Sequence, residues 1–253
     1  MKLTMRIFTA IAVLLFSSLA LSQESETVIS PASEAAEGLD LQAVSELFKN
    51  ASDLEKFERA LNDPETGVNN LDLNEDGEVD YIRVLEEAED DTHILILQAQ
   101  LGEDEFQDVA TIEVEKSEED YNMQVHGDEE VYGPEYYIVP AVVRIHTWPI
   151  IVRIYRPGYH PYRSRFYWGF FPRWWKPYRV VTVPVYKTRV VKYRSGNAFV
   201  VTKTGRVRTV TKVHYVPRKS PVFRKRVPAR IAPAKNPPAK DTPKPAPSRR
   251  VRR

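Results

Sequence analysis

Between residues 40 and 62 the apolar positions recur every three or four residues. Asp40–Asn50 places Leu41, Val44, Leu47 and Phe48 on one helical face. A second helix is expected from Ser52, with Glu55 three residues on as a capping box, and with Leu54, Phe57 and Leu61 as its apolar stripe. Pro64 ends it, because the residue before a proline avoids helical backbone. The period then falls to about two. Val79–Glu87, His93–Leu101, Glu105–Glu115 and Tyr121–His126 read as strands, and EEAEDD and LGED supply turns between the first three. Turns this short pair neighbouring strands antiparallel. The expected fold is α+β: two N-terminal helices on a four-stranded antiparallel sheet, over about residues 39–139.

The pattern changes at Pro140. Val142–Tyr155 is β-branched and basic, interrupted by Pro149. Val180–Arg194, Ala198–Lys203 and Arg206–Tyr215 are expected as further strands, with turn chemistry at Ser195-Gly196-Asn197 and Thr204-Gly205. In the last of them Val207, Thr209, Thr211, Val213 and Tyr215 share a face. Residues 140–216 thus read as a β-rich region. Residues 217–253, dominated by Pro, Lys, Arg and Ala, read as a disordered tail, and residues 23–38 as a flexible acidic lead-in.

The first 22 residues have a separate pattern. Lys2 and Arg6 precede the apolar run Ile7–Leu21, and Ala20 and Ser22 suit a cleavage site before Gln23. This is the layout of a secretory signal peptide, and the run is short for a spanning helix of about 20 residues. The expected location is outside the cytoplasm: periplasm, outer-membrane-associated or secreted. The chain has no cysteine. That excludes disulfides and a lipid anchor on an N-terminal cysteine, so stability must come from the core or from bound metal. Ala141–Tyr155, the next most apolar run, is too short to span and carries Arg144, His146 and Arg153.

A net charge of +1 hides a division. Residues 24–139 carry 34 acids against 5 Lys and Arg, whereas residues 140–253 carry 1 acid, Asp241, against 29 Lys and Arg. Such asymmetry speaks of interaction rather than fold. The halves either dock on each other or seek outside partners. Residues 155–178, YRPGYHPYRSRFYWGFFPRWWKPY, hold 11 aromatics and 5 Lys and Arg with no acid. Rings beside cations suit an anionic polymer or lipid surface, such as lipopolysaccharide, a wall polymer or extracellular DNA. Trp168, Arg173, Trp174, Trp175, Lys176 and Tyr178 are the candidate ligand-binding residues. Packing of these rings as core is the competing reading.

Candidate metal chemistry lies in LDLNEDGEVDYIRV, residues 71–84. Calcium takes six to eight oxygens, and a tight loop with alternating oxygen side chains delivers several. Asp72, Asn74, Asp76, the Glu78 carbonyl and Asp80 fall at positions 1, 3, 5, 7 and 9, with Gly77 at the sharp turn. The twelfth position, a Glu in an EF-hand, is Arg83, and the following segment reads as strand. The loop resembles the DxNxDGxxD loops of dockerin-like and integrin-repeat-like proteins. A plain Asp-Gly turn would need only Asp76 and Gly77.

Enzyme signatures are absent from the sequence. The histidines, His93, His126, His146, His160 and His214, form no zinc spacing, and there is no GxSxG or phosphate-binding loop. Acids are too abundant for any pair to stand out as a hydrolase dyad. The expectation is a non-enzymatic protein. Taken in order, LDLNEDGEVDYIRV, DTHILILQAQLGEDEFQDVATIEVEK and FYWGFFPRWWKPYR resemble a family of uncharacterised exported proteins of Bacteroidetes-type Gram-negative bacteria, over about residues 40–215. The resemblance implies an envelope or secreted location and no activity.

Overall fold

The computed structural model describes residues 31, 33–118, 120–141, 144–194, 196 and 198–226. The expected signal peptide, most of the lead-in and the tail beyond residue 226 lie outside these residues.

The first two helices form where periodicity places them. Asp40 caps α1 (Leu41–Asn50), its carboxylate accepting the N–H groups of Gln42 and Ala43. α2 (Leu54–Asn62) is capped by Asp53, which accepts Lys56 N–H, so the expected Ser52/Glu55 capping box does not form. Phe48 and Phe57 meet edge to face at 5.5 Å, and both are fully buried. Each such side chain contributes roughly 1.5–3 kcal/mol by leaving water.

Four strands follow as a meander: β1 (Ile82–Glu89), β2 (Thr92–Gly102), β3 (Glu105–Lys116) and β4 (Tyr121–Gly127). Asp90 and Asp104 take left-handed backbone in the two tight turns, at φ 52° and 57°. Aspartate tolerates this better than most residues.

The expected four-stranded sheet under two N-terminal helices is wrong. There is one antiparallel sheet of six strands in the order β1-β2-β3-β4-β5-β6. A short helix, α3 (Glu129–Tyr132), precedes β5 (Tyr137–Pro140), and β6 (Phe199–Thr202) pairs with β5 through Val139 and Val200. The last strand therefore comes from the basic half. Helices of the basic half pack on α1, which itself packs on the sheet.

Two segments of the region read as β-rich are helices, one of them expected as a strand. α4 (Pro149–Ile154) begins at the proline that interrupts the β-branched run Val142–Tyr155. Proline is favoured in the first helical turn, where its missing N–H costs nothing. Ile150, Ile151 and Ile154 are buried. α5 (Val183–Arg194) replaces the expected strand Val180–Arg194. Its buried residues, Tyr186 and Val190, are four apart, and helix packing outweighs the β-preference of its valines. The Tyr186 hydroxyl accepts Asp40 N–H at 2.7 Å and donates to Val68 O at 2.8 Å.

Arg206–Tyr215 is not a strand either; Val210–Lys212 is a 3₁₀ turn. Val207 and Val213 are buried as the alternation implies, but side chains of the sheet take the backbone donors. Gln124 Oε1 accepts the N–H groups of Arg206 and Val207, Glu115 accepts that of Arg208, and Asp108 that of Arg218. A segment satisfied this way forms no ladder. Val213 packs on Ile94 and Ile96, so β2 is buried on both faces. The packed part runs past residue 217, where the tail was expected to start. Ser220 and Phe223 are buried, and α6 spans Pro221–Arg226.

Candidate binding site

The predicted calcium loop and the predicted aromatic site are neighbours. Val79 N–H donates to Tyr178 O at 2.8 Å and Val180 N–H to Gly77 O at 3.2 Å, with Glu78 bridged to Arg179. The chain after Trp175 thus pairs with the loop.

Within the loop, Glu75 and Gly77 take left-handed backbone, at φ 57° and 85°. Asp72 accepts the N–H groups of Asp76 (3.1 Å) and Gly77 (2.9 Å). Asn74 Oδ1 accepts Asp76 N–H, and Asp76 accepts both Glu78 N–H and the Asn74 amide. These bonds draw the oxygens of Asp72, Asn74 and Asp76 to one side of the turn. Asp80 is buried and accepts Leu73 N–H at 2.6 Å. Burial raises the Asp72 carboxyl above the usual carboxylate range; the Gly77 N–H opposes this and the nearby Asp76 charge reinforces it. Among the described residues no three acidic or imidazole side chains come together closely enough to hold an ion by themselves. An ion here would need the Asn74 oxygen and backbone carbonyls as well as the carboxylates.

The six predicted ligand-binding residues separate. Trp175 is buried, 5% exposed, and packs on Tyr81 at 5.1 Å and Phe171 at 4.6 Å, so it faces no ligand. Tyr178 is half-buried and donates to Asn69 O at 3.1 Å; burial raises its phenol. Lys176 and Arg173 are exposed, and among the described residues neither has an ion-pair partner. Trp168 and Trp174 stay on the surface at 41% and 38% exposure, together with Tyr167 at 54% and Phe170 at 51%.

Arg173 and Trp174 border a cleft of about 540 Å³ between α2 and the Phe166–Trp174 turn. Phe166, Phe170 and Phe171 line it from the aromatic stretch, and Glu55, Glu58 and Arg59 from α2. The Arg59 guanidinium lies over the Trp174 ring at 5.2 Å, and Arg165 over Phe166 at 5.3 Å. Glu58 is 1% exposed and takes hydrogen bonds from Tyr81 Oη (2.7 Å), Ser164 Oγ (2.7 Å), Val84 N (3.0 Å) and Tyr162 Oη (3.2 Å). Burial still raises its carboxyl above the ordinary value, although those donors pull the other way. Sequence reasoning missed Glu58 and Arg59. They lie on a helix about a hundred residues before the rings, and nothing local marks them.

Five other basic residues of the rear half meet acids of the front half. Lys187 pairs with Glu37 and Arg224 with Glu130, both at 2.8 Å; Arg163 pairs with Glu87, Arg194 with Asp40 and Lys219 with Asp128. The Asp40 and Asp128 carboxylates are largely buried; the remaining pairs are exposed and set register more than stability.

Comparison of the chain with protein-family models, with curated proteins and with solved structures finds no match.

Proposed function

We propose that this is a non-enzymatic, exported envelope or secreted protein that holds an anionic envelope component on the arginine-flanked rings of the Phe166–Trp174 turn. The observation that carries the reading is the exposure of Phe170 and Trp174 in a cleft also lined by Arg59, Arg165 and Arg173, with the exposed Tyr167 and Trp168 packed on Phe170 and Phe171. Contiguous exposed apolar surface marks an interaction site, and cations held over ring faces attract anions. The buried acid–imidazole pair Glu86–His93 is walled in by Tyr155 and Tyr159 and lies apart from these rings. No helix of the described residues is long and apolar enough to cross a membrane.

The test is binding of the full chain to lipopolysaccharide, anionic vesicles and DNA across a salt series. Binding that weakens steeply with salt and falls in Arg59→Gln and Arg173→Gln supports the reading. Salt-independent binding, or none, rejects it.

A second reading has its own observation. The front–rear ion pairs and the place of β6 in the common sheet favour a structural or assembly protein whose acidic and basic halves dock on each other. It predicts no binding in that series.

Calcium at the loop belongs to the first reading. Asp72, Asn74, Asp76, the Glu78 carbonyl and Asp80 would hold it, and it would stiffen the turn that pairs with Tyr178–Val180. The left-handed curvature at Glu75 and Gly77 supports it. A rise in melting midpoint with added calcium, abolished in Asp72→Asn, is expected; an unchanged midpoint means the loop is a plain hydrogen-bonded turn.

A further inference from the structure

We propose that the cleft between α2 and the Phe166–Trp174 turn binds an acidic sugar residue, such as a uronic acid unit of a polyanionic glycan. This rests on the anion-binding reading above and gives it a ligand class.

Three features set the class. The cleft has ring walls: Phe170 and Trp174 line it and are 51% and 38% exposed, with Arg59 over one face of Trp174 and Tyr167 stacked on Phe170. A pyranose has an apolar face of C–H groups that lies well against the electron-rich face of an aromatic ring. The cleft also has guanidinium groups at its mouth. Arg59 and Arg165 are already laid over Trp174 and Phe166, so a carboxylate meets forked donors whose freedom has been reduced beforehand. Finally, the mouth has an acceptor. The Glu55 side chain is 72% exposed and 3.7 Å from Arg165. A carboxylate there takes hydrogen bonds from sugar hydroxyls.

The shape of the cleft disfavours a bilayer. A bilayer needs rings that protrude into it, whereas these line a hollow of about 540 Å³, room for roughly one or two sugar rings.

The test is calorimetric titration of the full chain with a 1,4-linked galacturonic acid tetramer. The comparison probes are its fully methyl-esterified counterpart, an oligothymidylate of equal charge and phosphatidylglycerol vesicles. The acid tetramer is expected to bind at least about tenfold more tightly than the ester. Trp174→Ala and Arg173→Gln are each expected to lose about tenfold in affinity with an unchanged melting midpoint. Equal binding of acid and ester, or full affinity in Trp174→Ala, overturns the sugar site. Binding of oligothymidylate or vesicles without the tetramer also overturns the sugar assignment but leaves the anion-binding reading standing. Binding of none of the probes removes both.

Discussion

The aromatic stretch contains two neighbouring regions with opposite fates. In Tyr155–Ser164 the hydroxyls are engaged by the front half. Tyr155 donates to Asp91 O at 2.9 Å, Tyr159 donates to Glu86, and Tyr162 and Ser164 donate to Glu58. In Phe166–Trp174 the phenylalanines and tryptophans are largely without such a polar anchor; Trp168, Phe170 and Trp174 stay at the surface, and arginines lie over Trp174 and the half-buried Phe166. Composition barely distinguishes the regions. What does is whether a buried carboxylate or carbonyl lies in reach of a ring's hydroxyl. Tyr155, Tyr159 and Tyr162 reach one and are drawn in, whereas Tyr167 keeps 54% of its surface exposed.

The comparison is sharpest at two adjacent residues. Trp175→Ala removes a buried ring that packs on Tyr81 and Phe171, and should destabilise the fold by about 3–5 kcal/mol in a urea melt. Should the loss be only a few tenths, Trp175 belongs with the exposed rings. The next effect is Tyr159→Phe, which takes one donor from the buried Glu86 carboxylate and should cost about 1.5–3 kcal/mol in the same melt. A neutral result would mean that the tyrosine region is not anchored by its hydroxyls.

A smaller effect is set by pH. The folded state raises Glu58, so it holds that proton over a range where the unfolded chain has released it. Stability from this group is therefore present below the ordinary carboxylate value and is lost as pH rises through the raised folded value. Glu58→Gln should flatten that part of the profile, measured as the difference between wild-type and variant melts from about pH 4 to about pH 8. Parallel profiles would show that Glu58 does not titrate in the range. The smallest effect is Trp174→Ala, expected within about 0.5 kcal/mol of wild type because the side chain is already partly in water. A large loss would place Trp174 in the core.

Much of the front half was legible in the sequence. Leu41, Val44 and Phe48 are local periodic signals whose burial the structure repeats; Leu95 and Leu97 are buried as expected, but so are the residues between them, because β2 is covered on both faces. The rear half was not, and the reasons are physical. The valines of Val183–Arg194 have β preference, yet Tyr186 and Val190 are the pair that packs, and their four-residue spacing was outvoted by composition. The alternation at Val207 and Val213 did mark burial. It could not reveal that Gln124, Glu115 and Asp108 would take the backbone donors in place of a neighbouring strand. The candidate site was half visible: Arg173 and Trp174 were named, but Trp175 was grouped with its neighbour. Glu58 and Arg59 reach the cleft only through tertiary packing.

The most direct measurement of the central claim, that the Phe166–Trp174 rings are presented while the rest are packed, is iodide quenching of tryptophan emission in the full chain. Trp168 and Trp174 are exposed at 41% and 38%, and Trp148 and Trp175 are shielded at 9% and 5%. The account predicts an accessible and a shielded class of emission, with the accessible class absent from Trp168→Phe/Trp174→Phe. Quenching that is the same in that variant as in wild type would contradict it.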